Sequence, residues 1–129
     1  MGKKVLPKLS PGNYEIMKHV WGKEKVTVRD IYEAIDKERD EKVGITSIKV
    51  QLARLETYGW LKKIKQGRNL YYSAAHGQDE AVDGLVEDLS KRVFNGSNVK
   101  LMKYLLDTKG ITKEEIDDMR SMLDNYEEE

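Results

Sequence analysis

The chain has 129 residues, 39% of them hydrophobic and 36% charged, and no cysteine. That length suits one compact domain or two small ones, and it excludes disulfides, thiolate metal sites and a cysteine nucleophile. No apolar run approaches the roughly 18 residues of a membrane span, so no membrane association is expected. Net charge is zero, but residues 1–76 hold 16 Lys and Arg against 9 Asp and Glu, while residues 77–129 hold 7 against 14. A basic half of this kind suits a polyanionic partner.

The N-terminus, MGKKVLPKLSPG, is basic but lacks the apolar stretch of a signal peptide, and with the absent cysteines it points to the cytoplasm. In SPGNYEIMKHVWG, Ser10 is a helix cap with Pro11 at the first position. Tyr14, Met17, Val20 and Trp21 then recur at helical spacing, with Gly22 as the stop. In KVTVRDIYEAID, Thr27 and Asp30 form a capping box with Asp in place of the usual Glu. Val28, Ile31, Tyr32 and Ile35 make the buried stripe of a short second helix. A charged connection, KERDEKVG, leads to TSIKVQLARLETYGWL. Thr46 or Ser47 is expected to cap that third helix, and Gly59 to end it. Ile48, Leu52, Leu55 and Tyr58 are its core stripe, which leaves Thr46, Ser47, Lys49, Val50, Ala53 and Arg54 off it.

After Gly59 the pattern changes to WLKKIK and LYYS, two strands around a polar, cationic turn from Lys65 to Asn69. Of Tyr71 and Tyr72, one is expected to pack inward and one to be partly exposed. Three helices followed by a hairpin predict a winged helix-turn-helix. In that arrangement the second helix of the pair enters the major groove of double-stranded DNA. The exposed Thr46, Ser47, Lys49 and Val50 are then expected to read bases, and Arg54 to hold phosphate. A bidentate base contact from Lys49 is worth roughly 1–3 kcal/mol of discrimination. At the wing tip, Arg68 and Asn69 serve equally as DNA contacts or as ordinary turn residues.

From residue 77 the chain is acidic and helical. Val82, Leu85, Val86, Leu89 and Val93 line a first helix, and NGS at 95–97 breaks the chain. Val99, Met102, Leu105 and Leu106 line a second, capped by Ser97 or Asn98. Thr112 and Glu115 open a third with a capping box, along which Ile116, Met119 and Leu123 continue the stripe. Three such helices bury little alone, so their stripes need either the N-terminal domain or a second copy as partner, and a second copy is expected. The predicted architecture is mainly α with a small β-hairpin wing: a DNA-binding winged helix over residues 1–76 and a three-helix dimerisation domain over 77–129.

In this order, LSPGNYEIMKHVWG, TVRDIYEAI, TSIKVQLARLETYGWL, GRNLYYS and LVEDLSKRVFNGS resemble the penicillinase-repressor family (BlaI/MecI/CopY) of bacterial winged-helix repressors along nearly the whole chain. The resemblance implies a homodimer on a palindromic operator of a resistance or stress-response gene. It implies contacts from Thr46, Ser47, Lys49 and Val50 to bases, from Arg54 to the backbone, and from Arg68 and its neighbours in the wing. Two features depart from the family. The Asn-Phe bond cleaved in β-lactam-responsive members falls at Tyr104-Leu105 here, and the Cys-rich tail of copper-responsive members is absent. A sensor protease or a small-molecule inducer is therefore left open.

His19 and His76 have no ligand-spaced partner, and no phosphate loop, EF-hand or Ser/His/Asp order is present. No metal, cofactor or catalytic residue is expected. Two alternatives stand beside the repressor. One is a winged helix used for protein–protein contact, which needs an apolar patch on the third helix. The other is a repressor released by a ligand.

Overall fold

The computed structural model describes residues 6–108 and 110–126. It is a mainly helical chain with one antiparallel hairpin, and it divides into two compact units, Met1–Leu85 and Val86–Glu129. Helix α1 (Pro11–Lys18) begins at Ser10, whose hydroxyl accepts from the Asn13 amide at 3.1 Å. It ends four residues before Gly22, and the chain continues in turns to that glycine (φ +84°). The expected stop residue therefore closes the turn after the helix, while Val20 is still buried. Helix α2 (Val28–Glu38) carries the expected capping box: Thr27 and Asp30 each accept the other's backbone N–H at 3.0 Å. Helix α3 spans Ile45–Tyr58. Its N-cap is Gly44, with no side-chain bond, so neither Thr46 nor Ser47 is the cap; both lie in the first turn. Gly59 (φ +97°) ends α3, and the amides of Gly59 and Trp60 both bond the Leu55 carbonyl. Glycine suits this left-handed position because it has no Cβ to clash.

Strands β1 (Leu61–Gln66) and β2 (Asn69–Ala74) pair from Leu61↔Ala74 to Gln66↔Asn69. The loop is therefore only Gly67 and Arg68, shorter than the expected turn; Lys65, Gln66 and Asn69 are strand residues. Gly67 has positive φ and Arg68 does not, the pattern of a II′ hairpin turn. An isolated bridge joins Val26 to Tyr72, with two hydrogen bonds of 2.7 and 2.8 Å. That bridge ties the segment before α2 to β2, which lies between it and β1.

The core collects Ile16, Met17 and Val20 with Ile31, Ile35, Ile48, Leu52 and Leu55, closed by Trp60, Leu61 and Tyr72. Helices α2 and α3 contribute residues three or four apart, as an amphipathic helix must, while α1 contributes Ile16 and Met17 and the turn after it Val20. Tyr72 is the inward tyrosine of the wing and Tyr71 is half-buried.

In the second unit, the helix α4 (Gln78–Val93), which starts in the first unit, is followed by α5 (Asn98–Thr108) and α6 (Lys113–Asn125). Asn95 and Gly96 take positive φ at the break, and the Ser97 hydroxyl caps α5 through the Lys100 amide. Thr112 and Glu115 form the expected capping box of α6.

Candidate nucleic-acid interface

Helix α3 is held by Ile48, Leu52 and Leu55, all fully buried. At about 100° per residue, the point opposite that stripe falls at Val50, with Thr46, Ala53, Arg54 and Thr57 around it. Val50 is 51% exposed. Lys49 and Ser47 flank this face on opposite margins. Lys49 shares its margin with Glu56, which reaches Lys63 of β1 at 3.4 Å. Ser47 shares the other with Gln51, whose Oε1 lies 3.4 Å from where a Cβ on Gly12 of α1 would stand. The exposed face is thus bordered by the wing on the lysine side and by α1 on the serine side.

Because Gly44 is the cap, the hydroxyls of Thr46 and Ser47 hold no bond among the described residues and point away from the core on exposed residues. The Thr57 hydroxyl, in contrast, turns back to the Ala53 carbonyl at 3.0 Å. Arg68 occupies the hairpin loop and Asn69 the first position of β2; both are exposed.

Charge is concentrated on this surface. From Gly44 to Ser73 the chain carries six Lys and Arg against a single Glu. Lys63 answers that Glu. Among the described residues, Lys49, Arg54, Lys62, Lys65 and Arg68 have no ion-pair partner. Five exposed cations without intramolecular partners form a field that attracts a polyanion. An interaction module would show an apolar patch instead, and here the large apolar side chain on the exposed face is Val50.

One contributor was not read from the sequence. Lys25 reaches across to the wing, with its Nζ 4.4 Å from the centre of the Tyr71 ring and donating to Gln66 Oε1. Both wing residues project from the same side of the hairpin, since Ile64 pairs with Tyr71 and Gln66 with Asn69. Lys25 precedes the Val26–Tyr72 bridge, so bridge and cation hold the wing together. The signal lay in pairing over nearly fifty residues, which no local pattern displays.

A model of the Penicillinase repressor family matches residues 9–125. The chain belongs to that family. It is 31% identical over 114 residues to the transcriptional regulator BlaI of Mycobacterium tuberculosis, a match covering 87% of this chain and 80% of that protein. To the penicillinase repressor of Bacillus licheniformis it is 21% identical over 123 residues, covering 95% and 94%. The solution structure of monomeric Bacillus licheniformis BlaI in complex with the blaP half-operator shares the fold. There the TM-score is 0.50 at 23% identity, over 60% of this chain and 93% of that one. Penicillinase repressors are DNA-binding transcriptional repressors, which is not a class of enzymes. Among the described residues no group of three His, Asp or Glu is placed to hold a metal, and no helix is long and apolar enough to cross a membrane.

In this penicillinase-repressor chain the predicted dimerisation residues divide by exposure. Leu85, Ile116 and Met119 are half-buried. Val86, Leu89 and Val93 of α4, Val99, Met102, Leu105 and Leu106 of α5, and Leu123 of α6 are exposed. Met102, Leu106, Ile116, Met119, Met122 and Leu123 line an apolar groove of about 420 Å³. Tyr104 and Leu105 lie inside α5 rather than in a loop. The Tyr104 carbonyl accepts from the Thr108 hydroxyl at 2.6 Å, and its ring is tilted against Phe94 at 5.9 Å.

Proposed function

We propose that this repressor binds a palindromic operator in double-stranded DNA as a homodimer and blocks a promoter, that of a resistance or stress-response gene. The observation that carries the reading is the exposed face of α3, framed by a cationic wing and free of internal ion pairs. Thr46, Ser47, Lys49 and Val50 reach base edges in the major groove, while Arg54 grips the backbone and Arg68 and Asn69 extend contact along it. The half-operator held by the Bacillus licheniformis relative supports a DNA partner. The exposed apolar stripes of α4, α5 and α6 support pairing of residues 77–129 with a second copy, because so much apolar surface is rarely left in water.

The test is titration of the promoter fragment upstream of the protein's own gene, with a scrambled fragment as reference. Tight binding of the promoter fragment, two protomers per site and steep weakening with salt are expected, since Lys and Arg contacts release counterions. Lys49→Ala is expected to lower the ratio of specific to non-specific affinity. Equal affinity for both fragments with no salt dependence would overturn the reading.

A further inference from the structure

The exposed face of α3 is apolar at its centre. Val50 is 51% exposed, and its neighbours one turn away, Thr46, Ala53 and Arg54, are exposed with it. Among the described residues before Ala81, the large apolar side chains left exposed are Val50 and Leu70, and Leu70 lies on β2 of the wing.

Nothing in the fold asks for valine at this position. The side chain is off the buried stripe of Ile48, Leu52 and Leu55. A β-branched residue is also a weaker helix former than alanine, lysine or glutamate. Cations flank it: Lys49 comes just before and Arg54 one turn later, neither with an ion-pair partner among the described residues. A lone valine between cations is far smaller than the apolar patches that mark protein-docking surfaces. It suits an apolar spot on a polyanion.

Double-stranded DNA offers one such spot in its major groove. There guanine shows two acceptors, adenine an acceptor and an amino group, and cytosine an amino group. Thymine shows an acceptor and a 5-methyl group. Valine has neither donor nor acceptor. Against guanine, adenine or cytosine it would displace water from polar atoms and leave them unpaired, which is costly. Against thymine, methyl meets methyl and both leave water.

We propose that Val50 is a specificity-determining residue that recognises the 5-methyl group of one thymine in each operator half-site. This role rests on the DNA-binding reading and adds to it the base and the atom recognised.

The experiment uses the full chain and a pool of random double-stranded DNA, from which wild type and Val50→Ala each select their tightest sequences. Val50 lies outside the core, so its truncation leaves the fold intact. Wild type should enrich thymine at one fixed position in each half-site. Val50→Ala should lose about fourfold of that preference, the worth of one buried methyl-sized group, and keep its preferences elsewhere. The wild-type consensus is then made with deoxyuridine at that position, which removes the methyl group alone. Wild type should bind this DNA about fifteenfold more weakly when both half-sites are changed. Val50→Ala should bind the thymine and uracil forms nearly equally. Measuring both proteins on both DNAs cancels any change that uracil makes to duplex shape. A thymine preference that survives Val50→Ala at every position, or an equal uracil penalty in both proteins, would overturn the assignment and leave the DNA reading standing. A pool from which wild type enriches no sequence would refute the DNA reading, and the assignment with it.

Discussion

Replacing Arg54 by Ala tests the division of labour on α3. Arg54 lies on the exposed face, one turn beyond Val50, and has no acidic partner among the described residues. With Lys49, Lys62, Lys65 and Arg68 it makes five cations on this surface without an ion-pair partner among the described residues, hence ten in the proposed homodimer. If all ten met phosphate, the slope of log K against log salt would reach about −9, the ceiling set by about 0.9 per contact. Over a fourfold rise in salt, that is a loss of roughly five decades. Arg54→Ala removes two contacts per dimer, so the slope should become shallower by about 1.8. The loss should be nearly equal on operator and scrambled DNA, because phosphate contacts carry no sequence information. Fluorescence anisotropy titrations at several salt concentrations measure both quantities. Lys91→Ala is the control: Lys91 lies on α4 and is paired with Glu87 at 2.6 Å, and its loss should leave the slope unchanged. An unaltered slope for Arg54→Ala, or a loss confined to the operator, would refute the assignment of Arg54 to the backbone.

Three further outcomes follow from particular contacts. Lys25→Met should weaken operator binding several-fold without changing the salt slope, because Lys25 holds Tyr71 and Gln66 of the wing; a slope shallower by about 1.8 would show direct phosphate contact instead. Thr27→Ala removes the α2 cap and should lower stability by about 1 kcal/mol in denaturant titrations; an unchanged midpoint would contradict the capping geometry. The Arg39 guanidinium hydrogen-bonds Glu15 at 2.8 and 3.2 Å and holds its carboxyl below the ordinary value. A lowered folded-state pKa stabilises above the unfolded pKa and is lost as pH falls through the folded one. Glu15→Gln should therefore reduce thermal stability near neutral pH, and the difference from wild type should close below about pH 4; a deficit persisting at lower pH would assign the effect to packing.

What could be read from sequence follows the range of the interaction. Thr27 with Asp30 and Thr112 with Glu115 are capping boxes closed within three residues, so the pattern contains the whole contact. Gly59 was legible because a left-handed helix end demands glycine. The start of α3 was not. Thr46 and Ser47 are good caps in isolation, but Ile48 is fully buried, and the helix begins at Ile45 behind Gly44, leaving both hydroxyls outward. At α1, Gly22 looked like the stop, yet the α-helix ends at Lys18 and the chain turns on, still burying Val20. The Val26–Tyr72 bridge and Lys25 over Tyr71 are tertiary and have no local signature. The exposed face of α3 is visible in the sequence as residue types, but its ordering is not: helix phase puts Val50 at its centre and Lys49 at its wing-side margin.

The two units differ in how they bury apolar surface, and that difference makes a thermodynamic prediction. Every buried apolar side chain described here lies at or before Ala81; from Val86 onward the buried residue is Ser90, whose hydroxyl donates to Asn98 Oδ1 at 2.8 Å. Leu123 is 71% exposed and Val99 78%. At about 25 cal/mol per Å² of apolar area removed from water, helices so little buried lack the driving force to offset the ordering of their backbone. In the proposed homodimer, association with a second copy would supply it, and the folding of α5 and α6 would then depend on protomer concentration. Thermal unfolding should show a midpoint that rises with protein concentration, each tenfold being worth about 1.4 kcal/mol per mole of dimer. Leu106→Asp places a charge in the groove with Met102 and Met119. It should yield a monomer by sedimentation, remove the concentration dependence, and weaken operator binding while leaving half-site binding nearly intact. A wild-type midpoint constant over a hundredfold in concentration, with a monomeric mass, would refute pairing through these helices.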